Sequence, residues 1–282
     1  MSYRSFTSAT ALMLAAGPLM AAGHAADKGY ALANGGTTLV VMSNIATPTD
    51  VTTMALSDTL AAIAWRPVTG ELMGFANGKI VTIDTETGAL TDLDASFMED
   101  ATTADGAKVA FDFNNKIDAV RAVSTAEDNL VYFPGDFGDD KAGSVRRFAD
   151  LAYAEGDVNA GADPVVFANA YTNAINSEKA SGTFQYALEA GTDALISLAN
   201  NKGTLETIAP MTVDGATADI SDWGGFDIMS PAEGEDQAFA ILQMEGAETA
   251  GFYTIDLATG AATMVADLGM GGFTSFAVAR HR

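Results

Sequence analysis

Residues 60–93, LAAIAWRPVTGELMGFANGKIVTIDTETGALTDL, read as four short strands joined by tight turns. Apolar and β-branched residues fill 60–66, 71–76, 79–84 and 89–93. Between them lie Pro67-Val68-Thr69-Gly70, Asn77-Gly78 and Thr85-Glu86-Thr87-Gly88. Asn-Gly is the strongest two-residue hairpin signal, because both residues tolerate the positive φ of the turn that matches strand twist. Four consecutive antiparallel strands make one blade of a β-propeller.

The pattern repeats. Ile83-Asp84-Thr85-Glu86-Thr87-Gly88-Ala89 recurs as Ile255-Asp256-Leu257-Ala258-Thr259-Gly260-Ala261. In both, the Asp can accept backbone amides of the turn and the Gly can take positive φ, so these residues read as structural punctuation. A second repeat marks the first strand of each unit: Ala61-Ala62-Ile63-Ala64-Trp65, Val109-Ala110-Phe111-Asp112-Phe113, Trp223-Gly224-Gly225-Phe226-Asp227-Ile228, a weaker Phe273-Thr274-Ser275-Phe276-Ala277-Val278 and a faint Val166-Phe167-Ala168-Asn169-Ala170-Tyr171. Their spacing of about 50 residues fits one four-stranded blade with its loops. Five blades are favoured. The last first-strand has no chain after it to finish a blade, while 29–33, 38–42 and 51–56 are strands lacking a first strand. The ring should therefore close by pairing the C-terminal strand with the N-terminal blade, which removes free sheet edges. Residues 135–164, loop-rich and Asp-rich, leave room for an insertion or a sixth blade. The fold expected is all-β, a single propeller over residues 26–282.

The first residues have the form of a secretory leader: Arg4, an apolar run over 9–16, Gly17-Pro18, then the small residues Gly23 and Ala25. The run is too short to span a bilayer, so residues 1–25 read as a cleaved signal peptide and the mature protein as periplasmic or secreted. No later stretch is apolar for the ~18 residues a membrane helix needs. The chain carries 37 acidic against 14 basic residues, a net charge of −23. That excess repels nucleic acid and anionic membrane surfaces, which are bound through clusters of Lys and Arg.

The same composition excludes much chemistry. Cys is absent, so thiol redox and Cys-ligated metals are excluded. Of the two His, His24 leaves with the leader and His281 is penultimate. Ser-His-Asp catalysis and His-ligated zinc or iron lack their key group. Calcium is the only cofactor left open, through the acidic loops holding Asp136, Asp139 and Asp140, and Asp214, Asp219 and Asp222. Neither follows the alternating spacing of an EF-hand, and solvated loops are the simpler reading.

Ala110-Phe111-Asp112-Phe113-Asn114, Trp65-Arg66-Pro67, Ala170-Tyr171-Thr172-Asn173, Gly225-Phe226-Asp227-Ile228 and Tyr253-Thr254-Ile255-Asp256 together resemble an uncharacterised bacterial exported family, domain of unknown function 4394. The resemblance covers nearly the whole mature chain and implies a propeller-like exported domain with no assigned activity. It also implies Asp in the first motif, where this chain has Ala64.

Alternation in a strand puts Phe111 and Phe113 on one face and Asp112 and Asn114 on the other; Phe226 and Ile228 similarly oppose Asp227. If these strands are innermost, Asp112, Asn114 and Asp227 face the channel, with Arg66 and Asn173 as neighbours. They are the candidate ligand-binding residues of an exported binding or scaffold module for a small molecule, glycan or protein. The plainer role is to accept hydrogen bonds from neighbouring blades. The alternative function is a carboxylate-dependent glycan hydrolase using Asp112 and Asp227, since such hydrolysis needs only two carboxyl groups. Secretion from a producing cell should give a mature mass that begins at Ala26. A mass retaining residues 1–25 would refute the leader.

Overall fold

The computed structural model describes residues 26–76 and 78–280, and shows a five-bladed β-propeller. The proposed leader, His24, Asn77 of the Asn-Gly turn and His281 lie outside the described residues. Blade 1 joins Ser275–Ala279 to Lys28–Ala33, Thr38–Met42 and Val51–Ala55. Blade 2 runs Ala62–Arg66, Glu71–Ala76, Lys79–Ile83 and Leu90–Asp92. Blade 3 runs Val109–Asn114, Ala119–Ser124, Asn129–Phe133 and Ser144–Arg147. Blade 4 runs Val166–Tyr171, Gln185–Glu189, Ala194–Leu198 and Thr204–Pro210. Blade 5 runs Ile220–Met229, Gln237–Met244, Gly251–Ile255 and Ala261–Asp267. The first strand of each set is innermost, and these five touch in a closed circuit, blade 1 back to blade 5.

Closure follows the expected route. Lys28–Ala33 pairs antiparallel with Ser275–Ala279, Gly29 opposite Val278 and Ala31 opposite Phe276. Residues 135–164 hold no sixth blade: they supply Ser144–Arg147 to blade 3 and Ala152–Tyr153 to the rim of blade 4. That second strand belongs to a device absent from the sequence reading. The connections entering blades 3, 4 and 5 each first lay a two-residue strand parallel to the blade's outer strand: Ser96–Phe97, Ala152–Tyr153 and Thr212–Val213. Each covers part of an outer edge that would otherwise stay unpaired.

The repeated turns behave as their residues require. Asp84 Oδ1 accepts the amides of Glu86 and Thr87, and Asp256 Oδ1 those of Ala258 and Thr259. Gly88 and Gly260 close these turns at φ of 73° and 69°. Apolar side chains between adjacent blades form the core. Phe75, Phe111 and Phe113 pack in the seam of blades 2 and 3, and Phe252, Phe273 and Phe276 in the seam of blades 5 and 1. Phe252 and Phe276 meet edge to face at 5.5 Å. The innermost strands of blades 5 and 1 approach so closely that a Cβ on Gly225 would lie 2.3 Å from the backbone nitrogen of Phe276.

Truncating Phe276, 3% exposed, opens a cavity beside the closing strand. Phe276→Ala should cost about 3–5 kcal/mol in urea denaturation. Val158→Ala, at a position 83% exposed, should stay within about 0.5 kcal/mol. Equal effects would contradict the packing described.

Candidate functional site

An innermost strand has a ladder partner on one side only. Its alternate N–H groups point into the channel and must be satisfied otherwise. Side chains of the preceding blade do this at three of the five seams. Asp112 of blade 3 accepts the amide of Tyr171 in blade 4 at 2.6 Å. Asp227 of blade 5 accepts that of Val278 in blade 1 at 2.6 Å and its neighbour Ile228 at 2.7 Å. Ser275 of blade 1 accepts the amide of Ile63 in blade 2 at 3.0 Å. Ala64, which corresponds to Asp112 in the repeat, has no group to offer blade 3. Asn169 of blade 4 is 1% exposed, and neither of its amide atoms has a partner.

The structure brings Asp112 and Asp227 close enough that the charge of one acts on the other. Burial, then the charge of Asp227, pushes the Asp112 carboxyl well above its ordinary range. Burial pushes Asp227 from 3.8 to about 7, against the pull of its two amide donors. No Lys or Arg pairs with either among the described residues. The axial cavity, lined by Phe111, Phe167, Asn169, Gly225 and Phe276, holds about 10 Å³. That is room for one water and none for a sugar ring.

The other three sequence candidates lie at the exit end, where the innermost strands finish. There they join blades. Arg66 donates to Asp118 at 2.6 and 2.9 Å and to Asp136 at 2.7 Å, linking blade 2 to blade 3. Asn114 Oδ1 accepts from Lys116 and from Thr183 of blade 4. Asn173, at φ of 60°, accepts from Gly234 and donates its backbone amide to Asp236 of blade 5. Asn173 belongs to the loop 172–184, which reaches every other blade. Ser177 donates to Pro67 of blade 2, Ala180 to Asn115 of blade 3, and Ala174 to Ser230 of blade 5. Asn176 donates to Arg280, beyond the closing strand of blade 1. The loop bridges the exit end of the ring.

The entry end is open. Where the innermost strands begin, Thr59, Leu60, Gly106, Lys108, Trp223 and Thr274 line a cavity of about 380 Å³. Lys108, at the start of blade 3, meets blade 5, its Nζ 3.5 Å from the centroid of the Trp223 ring and paired with Asp222. Burial lowers the pKa of Lys108, and Asp222 opposes the shift. Sequence reasoning placed Trp223 on a first strand without marking it as a site, and passed over Lys108. The sequence signal for the pair was that Lys108 immediately precedes one first strand of the repeat and Trp223 opens another.

The acidic loops are not gathered. Asp136 pairs with Arg66, Asp139 with Lys141, and Asp222 with Lys108. Among the described residues no three carboxylates or imidazoles cluster closely enough to hold a metal ion. No helix among them is long and apolar enough to cross a membrane.

A family model described as "Domain of unknown function (DUF4394)" matches residues 38–277. No curated protein matches. Among solved structures, a protein of unknown function from Bacteroides caccae is 8% identical, covering 90% of this chain and 99% of its own, at a TM-score of 0.42. A β-propeller domain from Myceliophteria thermophila is 14% identical over 79% of this chain and 61% of its own, at 0.38. An auxiliary nutrient binding protein from Bacteroides thetaiotaomicron is 11% identical over 75% and 55%, at 0.43.

The raised carboxyls fix the sign of a pH effect. Each holds its proton more tightly folded than unfolded, so its stabilising contribution is complete below the unfolded value near 3.8 and is lost as pH rises. For Asp227 the loss runs up to about 7. Asp227→Asn keeps an oxygen for the Val278 amide and removes the titration. Relative to the variant, wild type should lose stability in urea melts between about pH 4 and 7. Parallel curves would mean that Asp227 does not carry the shift.

Proposed function

The chain belongs to the DUF4394 family, and on that premise we propose that it is an exported binding module that takes a small, neutral, hydroxylated ligand at the entry mouth of the propeller. The observation that carries this reading is the partly exposed indole of Trp223 in a cavity of about 380 Å³ where the innermost strands begin. The exit end, bridged by the loop 172–184, holds cavities of about 390 and 460 Å³, but the second has no aromatic wall and in the first Trp65 is stacked on Tyr30. Asp222 already compensates the Lys108 ammonium, so the mouth has no spare cation for an anionic ligand. An indole beside polar groups suits a sugar ring, which offers an apolar face and hydroxyl edges. The nutrient-binding description of the Bacteroides thetaiotaomicron protein is compatible with this role.

Hydrolysis by Asp112 and Asp227 fares less well. Both carboxyls are buried at blade seams, each holding the next blade's amide. Asp112, Asn114, Asp227, Arg66 and Asn173 are assigned instead to holding the ring in shape. A thermal-shift screen of the mature protein against oligosaccharides should give a hit that also changes tryptophan fluorescence. Trp223→Ala should then weaken that ligand at least about tenfold, or ~1.4 kcal/mol, while Trp65 remains. A ligand indifferent to Trp223→Ala, or one lost only in Asp112→Asn, would overturn the placement.

A further inference from the structure

Two cationic side chains are buried among the described residues, Arg66 and Arg121, each 4% exposed. Their surroundings differ. Arg66 faces the carboxylates of Asp118 and Asp136. Arg121 meets only neutral oxygens: its Nε donates to the Tyr171 hydroxyl at 2.9 Å, its Nη1 to Asn129 Oδ1, and its Nη2 to Asn201 Oδ1 at 2.8 Å. Three of the five guanidinium N–H groups are thereby used. Asp112 stands opposite Arg121 in the strand register, yet its carboxylate is turned to the Tyr171 amide. In a chain of net charge −23, a buried guanidinium without a carboxylate is unexpected, because burying an unpaired charge is costly.

Arg121 lines a cavity of about 540 Å³ in the wedge between blades 3 and 4, within the range usual for small-molecule sites. Its walls are aromatic. Phe133 and Phe137 meet edge to face at 4.8 Å, and the Phe148 ring centroid lies 5.7 Å from the Arg121 guanidinium carbon. Ile117 and Met98, 41% and 51% exposed, complete an apolar rim. Lys141, Arg146 and Arg147 also line the cavity, but each has an acidic partner: Asp139, Asp140, and the pair Asp128 and Asp150. Among the cations of the pocket only Arg121 lacks an acidic partner; Asp100, exposed on the rim, is the acidic residue of the lining and has no cationic partner among the described residues.

From this juxtaposition we infer that the wedge pocket is a second ligand site, separate from the entry mouth, for a small amphipathic carboxylate whose head pairs with Arg121 and whose apolar body lies against Phe133, Phe137 and Phe148. A carboxylate supplies the missing countercharge and accepts the two remaining guanidinium N–H groups. The phenyl rings and the exposed Ile117 and Met98 would be covered by the body, which an inorganic anion cannot do.

Matched probes separate head from body. Benzoate and hexanoate, each against its alcohol (benzyl alcohol and hexanol), are titrated calorimetrically into the mature protein. Saturable binding of a carboxylate at least about tenfold tighter than its alcohol is expected. Arg121→Met should abolish that preference. Because Arg121 also joins blades 3 and 4, that variant is first checked by near-ultraviolet circular dichroism. Should it fail to fold, Phe137→Ala, on a partly buried loop residue, decides the matter: it should keep the wild-type spectrum and weaken carboxylate binding about three- to tenfold. Three results would each overturn the proposal: no saturable binding of either carboxylate at about 10 mM, alcohols that bind as tightly as acids, or unchanged binding in Phe137→Ala.

Discussion

The pairing of Lys28–Ala33 with Ser275–Ala279 is the constraint on which the molecule depends. Without it blade 1 lacks an innermost strand, blade 5 has no seam partner for Ile241 and Phe252, and the circuit of inner strands stays open. Every other blade is built from one continuous stretch of chain and needs only its neighbours. Closure turns five sheets into a ring in which each blade is covered on both faces. At the seam of blades 5 and 1, Gly225 meets Phe276 of the closing strand itself.

A closed ring leaves one recurring problem, the channel-facing amides of its innermost strands. The molecule meets it unevenly, with Asp112, Asp227 and Ser275 at three seams, Ala64 contributing nothing at a fourth and Asn169 unmatched at the fifth. Using carboxyls here buries two acidic groups that no Lys or Arg pairs with among the described residues, and burial raises both. The polar ring that made the channel resemble a ligand site is, in large part, the fastening of the blades. The larger cavities lie elsewhere, among them the entry mouth and a wedge where blade 4 stops covering blade 3.

The blades were legible because their signals are local. Asn-Gly, Thr-Gly and Ile-Asp act within a few residues, and the 71–76 strand matches to the residue. The parallel rim strands were not, since a two-residue strand such as Ala152–Tyr153 has no periodicity to read. The faces of Asp112 and Asp227 followed from alternation, but their amide partners belong to other blades. Arg121 was visible in principle, as one charge within the apolar run Ala119-Val120-Arg121-Ala122-Val123. Its meaning depends on Phe133, Phe137, Phe148 and Asn201, which no spacing connects to it. Lys108 and Trp223 likewise meet only because two separate first strands begin at the same end of the ring.

The closing strand also sets the order of events during synthesis. Blades 2 to 5 can assemble as they emerge, whereas blade 1 must wait for the last residues of the chain. Contacts between segments so distant in sequence form slowly, and a half-finished ring exposes two unpaired seams in the meantime. Such a chain cannot reach its native state before its final strand is available. The step that locks the fold is withheld until Ser275–Ala279 has followed blades 2 to 5.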